Sequence, residues 1–263
     1  MTVFADIPTG LMRKFVVRTT LWIIFLGIVL FGTAGTMHWP QGWIYLGFLS
    51  VVSFVSGPWL AKHDPELFRE RLGSLFQKEQ KSWDKLWVIA MMVVWLGGLV
   101  LMALDGGRYH WSHVPVWVQV VGFILIYVGF WLSMLTFKAN SYAAPVVKIQ
   151  KERGHRVVTT GPYAYVRHPM YSGTLLFSVG TALLFGSWWG LLAVALFGVL
   201  IAVRAVLEEE TSRPSLRAMP TMRPTSATGW SPCSGNSDFG LRAKRGVPHQ
   251  ASRSSSFGPN FSC

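Results

Sequence analysis

Apolar residues run through this chain in long blocks rather than in strict alternation or narrow stripes. Residues 16–36 (VVRTTLWIIFLGIVLFGTAGT), 41–61 (QGWIYLGFLSVVSFVSGPWLA), 86–104 (LWVIAMMVVWLGGLVLMAL) and 115–136 (PVWVQVVGFILIYVGFWLSMLT) each supply the roughly 20 mostly apolar residues that a helix needs to cross a hydrocarbon core. A fifth apolar region, 171–206, is too long for one crossing and is interrupted at Gly186-Ser187, beside Trp188 and Trp189. We read it as a helical hairpin that turns at a membrane interface, in preference to one long tilted helix. The pattern predicts an all-α integral membrane protein with about five to six transmembrane helices. Between the blocks, 62–85 mixes both signs of charge and predicts an amphipathic surface helix with Trp83 at headgroup level. Val146–Ile149 and Val157–Val158 flank Lys151-Glu152-Arg153-Gly154, which predicts two short extended pieces around a tight turn.

Composition agrees with a membrane location: 51% of the residues are hydrophobic and 14% charged, against roughly 25% charged in soluble domains. The net charge of +12 divides into +6 on residues 1–210 and +6 on 211–263, so the membrane part is only mildly basic and the charge is no signal for nucleic acid. Its placement is more informative. Arg13, Lys14 and Arg18 precede the first block; Lys62, Arg69, Arg71, Lys78, Lys81 and Lys85 follow the second; Lys138, Lys148, Lys151, Arg153, Arg156 and Arg167 follow the fourth. The intervening connections, 37–40 and 105–114, hold only Arg108. By the positive-inside rule the N-terminus, 62–85, 137–170 and the residues after 206 are expected on the cytoplasmic side. The first apolar stretch is too long for a cleavable signal peptide. Both cysteines, Cys233 and Cys263, lie in 211–263, so no disulfide or thiolate metal site is expected in the membrane part. His38, His63, His110 and His113 are scattered without ligand spacing, and no metal site is expected from them.

The chemistry concentrates in residues 160–173, TGPYAYVRHPMYSG, which lead directly into the hairpin. Proline biases His168 away from helix, and Pro169 suits the first turn of the helix that follows. Arg167 and His168 would stand at the positive end of that helix, where backbone N–H groups favour a carboxylate or phosphate. Tyr163, Tyr165 and Tyr171 offer flat faces to an aromatic ring, and Gly173 permits close approach of a neighbour or ligand. The competing reading is an interfacial anchor, since Tyr and Arg also mark membrane boundaries. At the far end of the hairpin, RAVLEEE places Arg204 and Glu208 one turn apart on one helix face. A hairpin returns these two to the side of Arg167 and His168, whereas Glu209 and Glu210 are expected to reach into the headgroups.

The run HRVVTTGPYAYVRHPMYSG, followed at one helical hairpin by RAVLEE, closely resembles the isoprenylcysteine carboxyl methyltransferase family, part of a wider set of membrane methyltransferases that includes phospholipid N-methyltransferases. The likeness extends upstream through NSYAAPVVKIQKERGH and covers about residues 86–210. It implies a bundle of transmembrane helices with a cytosol-facing S-adenosylmethionine pocket and a lipid-accessible tunnel. Carried onto this chain, it implies that Gln150, His155, Val157, Val158, Tyr163, His168, Pro169, Tyr171 and Glu208 contact the cofactor, with Arg204 near the reacting group. It further implies a lipid-like or prenylated acceptor drawn from the bilayer.

Three regions follow: 1–85, two helices and a cytoplasmic loop; 86–210, the methyltransferase-like core; and 211–263, a Ser-, Arg-, Pro- and Gly-rich stretch without periodicity, expected to be disordered. The resemblance stops after Glu210. Read two nucleotides onward, Leu216–Pro232 can encode a Gly-Tyr turn, a second Tyr and a basic stretch ending in proline, as the family pattern has, which suggests a shifted reading frame. Two other functions compete. A sterol-type reductase would take hydride from NADPH, with Arg156 and Arg167 on phosphate, and a non-catalytic membrane protein would use the tyrosines as anchors and the basic loops on anionic lipid.

Overall fold

The computed structural model describes residues 9–73, 82–140 and 160–217. They form α1 (Thr9–Ala34), α2 (Pro40–His63), α3 (Pro65–Leu72), α4 (Ser82–Met102), a π-helical stretch Ala103–Tyr109, α5 (Val116–Ala139), a 3-10 turn Gly161–Ala164, α6 (Pro169–Leu184) and α7 (Trp188–Arg217). No strand occurs among the described residues. Five stretches are long and apolar enough to cross a membrane: Gly10–Ala34, Pro40–His63, Ser82–Tyr109, Val116–Ala139 and Trp188–Glu210; α6 is apolar but shorter. They coincide with the apolar blocks. The helices are apolar on all sides, so residues such as Ile28, Val55, Val93 and Leu192 face outward and are exposed, as lipid permits.

The last apolar region is a hairpin. Its turn is Phe185–Ser187, where Gly186 takes a φ of +74° that a side chain rarely adopts. Of the surface helix expected over 62–85, the described residues include α3, which buries Leu67 and Phe68 and is capped by the Asp64 carboxylate accepting from Leu67 N at 2.9 Å; residues 74–81 lie outside the described residues. Ser82–Lys85 already belongs to α4. The chain is also not irregular from residue 211, because α7 continues to Arg217. The two extended pieces expected around Lys151–Gly154 lie outside the described residues.

α5 and α6 pack antiparallel, backbone to backbone. A Cβ on Gly122 would come within 2.8 Å of Gly180 O and one on Gly129 within 2.5 Å of Gly173 O, and the reverse contacts are equally tight. The glycines on each helix are seven residues apart, so two turns of each helix bring the next pair face to face. Membrane-buried hydroxyls on the pair are satisfied within their own helices: Ser133, Thr136, Thr174, Ser178 and Thr181 each donate to the carbonyl four residues back.

At the end of the bundle that carries the hairpin turn, a fully buried carboxylate organises the start of α7. Asp105 accepts from Ser112 N at 2.8 Å, Ser112 Oγ at 2.7 Å and Ser187 Oγ at 2.5 Å. Those two hydroxyls in turn accept from Trp188 N and Gly190 N, the first free N–H groups of α7. Gly106 is needed here, because a Cβ would fall 1.8 Å from Phe185 O. The aromatic core lies just inside this knot: Phe185 meets Trp39 at 4.7 Å and Tyr45 at 5.0 Å between ring centroids.

Candidate functional site

At the opposite end, the start of α6 meets the last turns of α7. Pro169 opens α6 and is buried, which fixes His168 in a non-helical conformation just ahead of it. The His168 ring stacks on Tyr171, with centroids 5.4 Å apart and planes 16° from parallel. Each ring then takes a carboxylate from α7. Tyr171 Oη donates to Glu208 Oε2 at 2.7 Å, and His168 Nε2 lies 3.1 Å from Glu209 Oε1. From the preceding 3-10 turn, Tyr163 Oη accepts from Asn140 Nδ2 at 2.8 Å. Burial pushes the Tyr163 phenol above its ordinary range; the Asn140 bond works against that rise and the nearby charge of Glu208 adds to it. Tyr163 is therefore a neutral hydroxyl at the edge of the same cluster.

One turn before Glu208, Arg204 is buried and pairs with Asp84 of α4, Nη2 to Oδ1 at 3.0 Å. Its Nη1 faces the thioether of Met91 at 3.9 Å. Asp84 is fully buried in the first turn of α4, where the helix dipole favours an acid. Trp87 Nε1 donates to Leu200 O at 2.9 Å and ties α4 to α7 beside the ion pair.

Of the residues singled out by sequence, the structure brings together Tyr163, His168, Pro169, Tyr171, Arg204 and Glu208. Gln150, His155, Val157 and Val158 lie outside the described residues. Arg167 and Tyr165 are exposed and do not join the cluster. Gly173 does permit close approach, and the neighbour is the backbone of α5 at Gly129. Glu209 corrects an expectation. It holds His168 rather than reaching into headgroups, because α7 runs past the start of α6 and turns two successive carboxylates toward it. Asp84 and Asn140 were not read as site residues. Asp84 had a legible signal, an acid in the first turn of a long apolar helix; Asn140 opens NSYAAPVVKIQKERGH, the stretch through which the likeness extends upstream.

Comparison with known proteins bears on the same part of the chain. Residues 117–213 match the sequence profile of the phospholipid methyltransferase family. Protein-S-isoprenylcysteine O-methyltransferase B of Arabidopsis thaliana is 32% identical over 100 residues, 37% of this chain and 48% of that protein. The Schizosaccharomyces pombe protein-S-isoprenylcysteine O-methyltransferase is 29% identical over 131 residues, 43% of this chain and 55% of that protein. The Homo sapiens protein of that name is 38% identical over 66 residues, 25% of this chain and 23% of that protein. The chain thus spans about half the length of the plant and yeast relatives. No solved structure shows a significant match to it. Across α5, α6 and α7 this chain carries the sequence pattern of the phospholipid methyltransferase family and is similar to the protein-S-isoprenylcysteine O-methyltransferases.

Proposed function

We propose that this protein is a membrane-embedded, S-adenosylmethionine-dependent methyltransferase acting on a lipid-like acid such as an isoprenylcysteine carboxylate. The observation that carries the reading is the pair of bonds Tyr171–Glu208 and His168–Glu209, which joins RHPMYSG to RAVLEEE across the hairpin into one site. The donor set suits the cofactor. Glu208 and Glu209 are carboxylates for an ammonium and for ribose hydroxyls, the stacked His168 and Tyr171 rings offer a face to adenine, and the first turn of α6 has no side-chain cap and presents N–H groups to a carboxylate. Gln150, His155, Val157, Val158 and Tyr163 complete the proposed cofactor contacts by resemblance.

When bound, the cofactor supplies a methyl group already activated on a sulfonium. The chain's own residues therefore have to align the reactants and keep the site dry. Arg204 orients the acceptor's carboxylate; a guanidinium stays protonated and does not act as a base. The basic connections on this end of the bundle support a cytoplasmic location for it under the positive-inside rule. The test is equilibrium binding of labelled S-adenosylmethionine to the detergent-solubilised chain, with NADPH as competitor. Saturable binding that NADPH does not displace, weakened at least tenfold by His168→Ala and by Glu208→Gln, is the expected result. Unchanged affinity in both variants removes the site assignment, and displacement by NADPH would turn the reading to a reductase.

A further inference from the structure

Arg204 does not stand as a bare cation awaiting an acid. It is held against Asp84, and both side chains are almost entirely removed from solvent, 10% and 0% exposed. The pair is as close to neutral as the protein can make an arginine in a low-dielectric site. It also sits within electrostatic reach of Tyr171, and thus beside the cofactor cluster. On its other edge, Arg204 Nη1 faces a thioether sulfur at 3.9 Å, a weak acceptor. That edge is where an oxygen from a ligand gains most by displacing what is there.

Resting on the functional reading above, we propose that Asp84 is the specificity-setting counter-ion of the acceptor site: it holds the guanidinium through Nη2 and lets an acceptor carboxylate replace Met91 at Nη1. Two consequences follow from charge alone. The acceptor acid meets a guanidinium whose charge is already balanced, so it is oriented by hydrogen bonds without being trapped. Methylation then removes the acceptor's charge. An unbalanced Arg204 would hold the acid far more tightly than the neutral ester that follows, which is stabilisation spent on the ground state. Asp84 acts through Arg204 and is therefore a positioning residue. Its removal need not separate the helices, since Trp87–Leu200 and the contact of Gly98 with Ala193 also hold α4 to α7.

The experiment measures binding of S-farnesylcysteine acid and of its methyl ester to the full chain, wild type, Asp84→Asn and Asp84→Glu, with S-adenosylmethionine binding in the same preparations. In Asp84→Asn the acid-to-ester affinity ratio is expected to rise at least tenfold, because one full charge near the acid is lost at short range. Cofactor affinity is expected to stay within about threefold, and Asp84→Glu, which keeps the charge, to return the ratio toward wild type. A ratio in Asp84→Asn that is unchanged or lower overturns the inference while leaving the cofactor site standing. Should Asp84→Asn not fold, the double variant Asp84→Asn with Arg204→Gln decides. An acid-to-ester ratio in the double variant at least tenfold above that of Arg204→Gln alone, where the Asp84 charge stands unopposed, supports the placement, and equal ratios refute it. Failure of the wild type to bind either acceptor while it binds cofactor would overturn the choice of acceptor, and this inference with it. Failure to bind cofactor would overturn the functional reading itself.

Discussion

Replacing Gly180 by alanine adds one methyl group at a tight backbone crossing between α5 and α6. The new Cβ would lie 2.5 Å from Gly122 O and 2.7 Å from Ile126 N, both backbone atoms. Ordinary contact needs about 3.4 Å, so the helices must part by nearly 1 Å at this point. No rotamer change can absorb that, since neither neighbour is a side-chain tip. Overpacking typically costs about 1–3 kcal/mol, and a rigid backbone contact belongs at the upper end. Alanine recovers about 1 kcal/mol as the better helix former, which leaves a net loss of about 2 kcal/mol. At about 2–4 °C per kcal/mol for a chain of this size, Tm in detergent falls by about 4–8 °C. The control is Gly47→Ala in α2, where nothing lies within 4 Å of the added methyl. There the propensity term acts alone, and Tm is expected to rise by up to about 4 °C. Thermal unfolding followed by tryptophan fluorescence measures both. If the two variants shift Tm in the same direction, the close approach of α5 and α6 is not what these glycines serve.

Three further outcomes are expected. Ser187→Ala removes a donor to buried Asp105 and the cap on Gly190 N; the loss of about 2–3 kcal/mol should lower Tm by at least about 4 °C, and a shift under about 2 °C would show that the knot contributes nothing. Glu209→Gln touches a half-exposed bond to His168, so it should weaken S-adenosylmethionine binding less than Glu208→Gln does, and an equal or larger loss would invert their roles. Tyr163 holds its proton more tightly in the folded chain than at the ordinary 10.0, so its contribution to stability is complete below that pH and disappears as pH rises through the folded value. The phenolate absorbance lost in Tyr163→Phe should accordingly titrate above pH 10.0, and a midpoint at or below it contradicts the burial described.

The spans were legible because long runs of apolar residues without periodicity have one stable solution, helices solvated by lipid. The hairpin was legible at Gly186, whose positive φ marks a reversal that a continuous helix could not contain. Tyr171 and Glu208 could be brought together from sequence because a hairpin returns its ends to one side. Finer detail depended on rotation about the helix axes. Whether Glu209 faces α6 or lipid turns on the phase of α7, and neighbouring residues on a helix look alike in sequence. Asp84 illustrates the other limit: its partner lies on a helix distant in the chain, and nothing near either residue records the pairing. The glycine contacts are of the same kind, since Gly122 and Gly129 show their purpose only beside Gly180 and Gly173.

The Asp105 knot also gives α7 the character of an indexed rod. It clamps the first turn of the helix, and from Ser187 the rod rises about 25 Å to Arg204. Because the clamped end sets the angular phase, one residue inserted between 188 and 203 would turn everything beyond it by about 100°. Arg204 would swing off Asp84, and Glu208 and Glu209 would leave the start of α6 together. The length of this segment is thus under tighter constraint than most of its side chains, and a single-codon insertion there would be more damaging than almost any substitution of its lipid-facing residues.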